Sequence, residues 1–282
     1  MNIKGSTNIV GLIGHPVEHS FSPPMHNAAF AELGLDYVYV AFDVNPNDLK
    51  SAVEGAKSLN IKGFNVTIPH KIEVMQYLDE LDEVARLIGA VNTIDFKNLK
   101  GYNTDGIGAV RAIEEVTSIK DKNVVVAGAG GASRAISFYL AKFGAGSMTI
   151  LNRNANKAKD LAGDVLKSDL IGDVGADSIS EIDSYLKDAD ILVDTTPLGM
   201  DPHVNDEPIA KSDAMHDGLV VFDAVYNPNE TVLLKEAIKA GAKPVYGIKM
   251  LLYQGAESFK IWTGKDAPID VMQDALNKHL GR

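Results

Sequence analysis

Cysteine is absent from the 282-residue chain, so no disulfide staples it and no thiolate can ligate a metal. A chain without cysteine suits a reducing compartment, and the cytoplasm is the expected location. No apolar run approaches the roughly 20 residues that cross a bilayer. Residues 1–10 lack the basic start and long apolar stretch of a secretion signal. No membrane partner is expected. Positive charge is scarce too: 27 Lys and Arg stand against 38 Asp and Glu, a formal net charge of −11. Such a surface argues against nucleic acid as a main partner, although local basic residues can still hold a small anion. Internal repeats and low-complexity segments are also missing. What is there, 45% hydrophobic and 23% charged residues, is the composition of an ordinary globular protein with length for two domains, each burying its own core.

Through the first hundred residues, short β-type runs alternate with helix-type runs. Residues 7–13 read as a strand. Residues 23–33 read as a helix opened by Ser22 as N-cap, with Pro23 at the first position. Residues 37–43 form a strand rich in Tyr and Val, 46–59 a helix, and 61–68 a strand stopped by Pro69. This alternation implies βαβ units and a mostly parallel sheet. A second series starts near residue 121: a buried strand at 122–127 (KNVVVA), a helix at 131–143 and strands at 147–151, 191–194, 219–223 and 243–246. Residues 103–116 read as the connecting helix. Two final helices, 248–262 and 269–280, have no strand left to cross to and are expected to pack back onto the first domain. The expected fold is α/β, with two α/β domains and a cleft between them: residues 1–105 plus 247–282, and residues 106–246.

The strand Val124-Val125-Val126 runs into Gly128-Ala129-Gly130-Gly131-Ala132-Ser133-Arg134 and then a helix. Glycines let the backbone turn tightly against a pyrophosphate, and the free N–H groups of a helix start favour an anion. Ser133 stands where the GxGxxG fingerprint has its third glycine. A glycine string alone is weak; between a strand and a helix it marks a Rossmann-type dinucleotide site. In NAD sites a carboxylate about 20 residues on accepts the ribose 2′-hydroxyl. Here the next strand ends in Asn152-Arg153-Asn154, with Lys157 behind. Those side chains suit a 2′-phosphate, so NADP is favoured over NAD; the bland alternative is a solvated basic turn.

Residues 14–27 (GHPVEHSFSPPMHN) carry three histidines, yet no carboxylates or thiolates follow at ligand spacing, and no metal is expected. Ser20 and Ser22 are more telling, because two hydroxyls beside a helix start can grip a carboxylate. Asn65 and Thr67 fall on one face of a strand by alternation. Pro69 then leaves Lys71 on the loop at the strand's C-terminal end, where parallel sheets place ligands. Asn92-Thr93 and Asn103-Thr104-Asp105-Gly106 would each be read alone as a polar turn.

Together these strings resemble one family, shikimate dehydrogenase. The resemblance is carried by residues 14–27, 65–71 (NVTIPHK), 89–93 (GAVNT), 103–106 (NTDG), 128–134 (GAGGASR), 152–154 (NRN), 196–200 (TPLGM), 223–228 (DAVYNP) and 250–254 (MLLYQ), in the family's order over nearly the whole chain. It implies reversible NADP-linked conversion of 3-dehydroshikimate to shikimate in aromatic amino-acid biosynthesis. It further implies that Ser20 and Ser22 hold the substrate carboxylate, that Asn65, Thr67, Asn92, Asp105 and Gln254 bind its hydroxyls, and that Tyr226 lines the site. Lys71 and Asp105 would be the catalytic pair, with Ala224 and Gly247 near the nicotinamide. A homodimer is a family-level expectation. Lys249 and Asp194 depart from the family's usual residues. Residues 251–266 look closer to a quinate/shikimate branch that can use NAD, whereas the Asn152–Asn154 tip points to NADP; both stay open. A fold-retaining sensor without turnover is a different class of reading, and the presence of Lys71 and Asp105 speaks against it.

Overall fold

The computed structural model describes residues 3–280. They divide into two compact units, with the divisions between Thr104 and Asp105 and between Tyr253 and Gln254.

In the first unit, strands β1 (Asn8–Gly14), β2 (Tyr37–Asp43), β3 (Gly63–Val66), β4 (Glu80–Leu81), β5 (Thr93–Asp95) and β6 (Lys100–Tyr102) form one sheet in the order β2-β1-β3-β5-β6-β4. Helices α1 (Ser22–Glu32), α2 (Leu49–Ser58) and α3 (Glu83–Ile88) belong to the same unit. The sheet is mixed rather than mostly parallel. β1 is parallel to β2 and β3, but β5 runs antiparallel to both β3 and β6. The four residues between β5 and β6 are too few for a crossover, so the pair can only be a hairpin. Its core gathers Ile13, Leu49, Val53, Phe64, Val66 and Ile94.

Several expected boundaries move, three of them for a visible reason. Ser22 is not an N-cap but the first residue of α1. Phe21 already has helical angles (φ −84°, ψ −7°), and the Ser22 amide donates to the Ser20 hydroxyl at 3.2 Å. Pro23 and Pro24 sit in the first turn, where no amide donor is needed. The expected helix over 46–59 opens as a 3₁₀ turn, Pro46–Asp48, capped by Asn45 through the Asn47 amide. The strand expected over 61–68 pairs only over Gly63–Val66, bounded by left-handed Asn60 (φ 57°) and by Pro69, which has no amide to donate.

The second unit holds α4 (Asp105–Glu114), β7 (Asn123–Ala127), α5 (Gly131–Lys142), β8 (Ser147–Asn152), α6 (Ala155–Leu166), β9 (Val174–Ser178), α7 (Ile182–Leu186), β10 (Ile191–Asp194), β11 (Val220–Asp223), α8 (Val232–Lys239) and β12 (Lys243–Tyr246). All its strand pairs are parallel, in the order β12-β11-β10-β7-β8-β9. That is the doubly wound order of a Rossmann domain, whose switch point lies between its first and fourth strands, here β7 and β10. The strands are covered on both faces, hence the unbroken Val and Ile runs of β7 and β10, every residue of β10 being buried. Helix α4, expected as a connector, packs against α5 within this unit. Helix α9 (Gly247–Thr263) passes through the second division. Helix α10 (Ile269–His279) lies against α1 in the first unit.

Candidate active site

In the first unit a buried network of amides and hydroxyls forms where β3, β5 and α9 meet. Asn65, the third residue of β3, accepts from the Tyr39 hydroxyl at 2.8 Å. Its amide nitrogen reaches the Asn92 carbonyl at 3.2 Å, Thr93 Oγ1 at 3.0 Å and Ser258 Oγ at 2.9 Å. Asn92 Oδ1 accepts from the Thr104 amide at 2.7 Å, and its Nδ2 donates to Thr104 Oγ1 at 3.0 Å. Gln254 is buried one turn before Ser258 on α9, and its carbonyl accepts from the Ser258 hydroxyl at 3.0 Å. So many buried polar groups are tolerated because they satisfy one another, and such a network holds its members in one geometry. His26 lies behind it with its ring flat on Tyr39 (centroids 4.5 Å apart, interplanar angle 1°). Neither ring nitrogen has a hydrogen-bond partner among the described residues. Burial lowers its pKa from 6.5 to about 3, so the imidazole is neutral.

The loops at the C-terminal ends of β1 and β3 carry the remaining first-unit candidates. Ser20 is half-buried and Ser22 buried at the start of α1. Thr67 and Lys71 are half-buried on the loop after β3. That loop is fastened at two adjacent residues. The buried His70 ring bonds the Val44 carbonyl at 2.7 Å, and the Lys71 carbonyl accepts from the Val91 amide at 2.8 Å. Asp105 is half-buried at the first position of α4, directly after Thr104 of the network. Among the described residues no group of three or more His, Asp or Glu side chains is placed to hold a metal.

In the second unit, β7 ends in the glycine loop. Gly128 takes a left-handed angle (φ 104°), and a Cβ there would collide with Thr195 Oγ1. Gly130 is the N-cap of α5 and Gly131 its first residue. Ser133, at the fingerprint's third-glycine position, is fully buried and donates to the Gly128 carbonyl at 2.7 Å, bracing the loop. Asn154 caps α6 by accepting from the Asn156 amide, and Asn152 Nδ2 donates to the Asn154 carbonyl. Ala129, Gly130, Asn152, Arg153, Asn154 and Lys157 line one hollow of 490 Å³. Its wall carries two cations and no acid. Bare amides at a helix start, a glycine cradle and adjacent cations are what a phosphorylated dinucleotide requires. Gly247, opening α9, lies so close to the loop after β11 that a Cβ would come within 2.6–2.7 Å of the carbonyl oxygens of Asp223, Ala224 and Val225. Tyr226, on that loop, is partly exposed.

Asp194 and Asp223 are register partners at the ends of β10 and β11, and both are buried. Each carboxyl reaches forward two residues, Asp194 to the Thr196 amide at 2.8 Å and Asp223 to the Val225 amide at 2.9 Å; Asp223 also accepts from the Thr231 hydroxyl at 2.6 Å. Burial raises the Asp223 pKa to about 6, and burial together with the neighbouring Asp223 pushes Asp194 well above the carboxylate range. Lys249, the other departure noted in the sequence, pairs with Glu115 at 3.4 Å.

Three family models match in chain order: the shikimate dehydrogenase substrate binding domain over residues 12–94, shikimate / quinate 5-dehydrogenase over 111–230, and the shikimate 5′-dehydrogenase C-terminal domain over 247–276. Shikimate dehydrogenase (NADP(+)) of Methanobrevibacter smithii is 74% identical over 278 residues, covering 99% of both chains. This chain belongs to the shikimate dehydrogenase family. Its fold superposes on a crystal structure of shikimate dehydrogenase in complex with NADP+ with a TM-score of 0.91 at 52% identity, covering 98% of this chain and 97% of the other. Shikimate 5-dehydrogenase from Listeria monocytogenes, in complex with shikimate and NAD, gives 0.93 at 36% identity, covering 98% of each. In this member of the shikimate dehydrogenase family, sequence reasoning passed over Tyr39 and Ser258, which with Thr93 hold Asn65 in place. One signal was legible: Gln254 and Ser258 lie four apart on the otherwise apolar face of α9.

Proposed function

We propose that the chain is an NADP-dependent oxidoreductase acting on a CH–OH group: a shikimate dehydrogenase, reversibly reducing 3-dehydroshikimate to shikimate on the route to chorismate and the aromatic amino acids. The observation that carries the cofactor choice is the hollow joining the glycine loop to Arg153 and Lys157 with no acidic side chain on its wall. The name of the Methanobrevibacter smithii relative, 74% identical, supports substrate and cofactor alike.

The cofactor, when bound, supplies or accepts the hydride. The glycine loop, residues 128–133, would hold the pyrophosphate; Asn152, Arg153, Asn154 and Lys157 the 2′-phosphate; and Ala224 and Gly247 would abut the nicotinamide. Ser20 and Ser22 would grip the substrate carboxylate. Asn65, Thr67, Asn92, Asp105 and Gln254 would bind the ring oxygens, with Tyr226 lining the site. The network around Asn65 and Asn92 fixes their amides in advance, so little ordering is left to binding. In the reducing direction the Lys71 ammonium gives its proton to the former carbonyl oxygen as hydride reaches the carbon. In the oxidising direction Lys71 takes that proton back. Asp105 orients the ammonium. On this reading residues 1–105 with 247–282 act as the substrate-binding domain and 106–246 as the NADP-binding domain. We further propose a cytoplasmic enzyme and a homodimer, the latter open to light scattering.

The test is an NADPH absorbance assay with shikimate and with quinate, each with NADP and with NAD. The highest kcat/KM is expected for shikimate with NADP. A preference for NAD would overturn the reading of the Arg153 hollow; a preference for quinate would move the chain to the quinate/shikimate branch; no turnover with any pair would overturn the enzyme.

A further inference from the structure

The first unit has a cavity at the end of its sheet opposite the loops that carry Ser20, Thr67 and Lys71. It measures 520 Å³ and lies beside the start of β2 and β3 and the end of β5. One wall is aromatic: Tyr37, Phe96 and Trp262 face it. The rings are fixed from behind. Trp262 Nε1 donates to the Ile94 carbonyl at 3.0 Å, Tyr37 stacks on Phe30 at 5.2 Å, and Phe96 meets Phe64 edge-on at 5.3 Å. The other wall is basic, carrying Lys57, Lys62 and Lys97.

In a chain of net charge −11, three lysines around one cavity call for an explanation. None of the three has an acidic partner within 4 Å among the described residues, and Lys62 touches only the neutral Asn60, at 2.9 Å. Lys57 is in the last turn of α2 and there complements the helix dipole. That duty does not extend to Lys62 and Lys97, which flank strands β3 and β5. Asp95 shares the cavity, but one of its oxygens already accepts from the Lys97 amide at 3.0 Å. Three cations against one carboxylate leave an excess that suits a singly charged head group, while the rings suit a flat apolar body.

We propose that this cavity binds a small aromatic carboxylate, its ring against Tyr37, Phe96 and Trp262 and its carboxylate among Lys57, Lys62 and Lys97. The site is separate from the residues assigned to shikimate and NADP, and every side chain that lines it belongs to the first unit.

Trp262 is the chain's single tryptophan and lines this cavity, so its fluorescence reports on the cavity's occupancy. The probe is benzoate, titrated into the full-length protein with and without saturating shikimate, with acetate and benzyl alcohol as controls. A saturable change in Trp262 emission is expected with benzoate, unchanged by shikimate and much weaker with either control. Combined Lys57→Ala, Lys62→Ala and Lys97→Ala substitution should raise the benzoate Kd at least roughly tenfold while leaving shikimate turnover intact; the single Lys97→Glu variant should act in the same direction. Absence of a saturable signal, an unchanged Kd in both lysine variants, or loss of the signal when shikimate is added would each overturn the proposal.

Discussion

Lys71 and Arg153 are side chains whose surroundings, more than their identities, suggest their roles. Lys71 sits on a loop held by His70 and by the Val91 amide, so its backbone is fixed while its side chain stays half-buried. A proton-transferring group typically contributes about 10²- to 10⁴-fold. Lys71→Ala should lower kcat within that range with NADP affinity unchanged, and a kcat within about twofold of wild type would remove Lys71 from the mechanism. Arg153 stands on the wall of the glycine-loop hollow, where a guanidinium can meet a phosphate with two charge-assisted bonds. Arg153→Ala should weaken NADPH by roughly 1.5–3 kcal/mol and affect NADH much less; equal losses in kcat/KM for both cofactors would show that Arg153 does not read the phosphate. Ser20 and Ser22 would hold a group that does not change during reaction. Their alanine variants should therefore raise KM and spare kcat, and the reverse pattern would refute the assignment. At this scale the sequence showed which polar residues cluster near strand ends. It could not show which of them brace the others. Asn65, one of the residues proposed to bind substrate, is held by Tyr39, Thr93 and Ser258, and Ser258 lies 193 positions away in the chain.

Legibility in the elements follows the strength of local pattern. Strands β2, β10 and β12 match their expected limits residue for residue, because Tyr–Val alternation, a Val/Ile run and flanking turn residues bound them on both sides. The strands β4, β5 and β6 are two or three residues long and leave no periodic trace, so the antiparallel half of the first sheet was invisible. Ser22 misled for another reason: a serine before two prolines reads as an N-cap, yet Phe21 had already turned into the helix and Ser20 took over the exposed amide. Gly247, proposed to abut the nicotinamide, is also an element boundary. The start of α9 is pressed against the carbonyl oxygens of Asp223, which ends β11, and of Ala224 and Val225 on the loop after it. Gly247→Ala must push that loop away, at a cost of about 1–3 kcal/mol for an overpacked site. Because the same loop carries Ala224 and Tyr226, the variant should show both a lower Tm and a smaller stabilisation by NADP in a thermal shift assay. An alanine variant with wild-type values of both would mean that the approach is relaxed in solution.

Across the whole molecule, the buried titratable groups make stability depend on pH in opposite senses. His26 titrates near 6.5 when unfolded but at about 3 in the native first unit, so between those values the unfolded chain binds the extra proton. Acidification from pH 7 therefore removes stability, by roughly 2 kcal/mol at pH 5 from about 1.4 kcal/mol per unit. Asp223, raised to about 6 by burial, behaves the other way. Between 3.8 and about 6 the native state is the one that binds the extra proton, so stability is present below that window and lost as pH rises through it. Asp194, shifted in the same direction, adds to this. The two effects partly cancel in the intact chain, which would make its stability look flatter with pH than either group dictates. Replacing one side chain separates them. His26→Leu removes the imidazole and its proton uptake by the unfolded state, so the unfolding free energy of the variant should fall less, or rise, between pH 7 and pH 5. The difference from wild type over that interval should be roughly 2 kcal/mol. Urea unfolding followed by Trp262, which lies in the same unit as His26, measures it. Because the comparison is between pH values within each protein, the packing change made by leucine drops out. Identical pH dependence in the two proteins would mean that His26 takes up its proton in the folded state, and that its ring nitrogens reach a partner or water in solution.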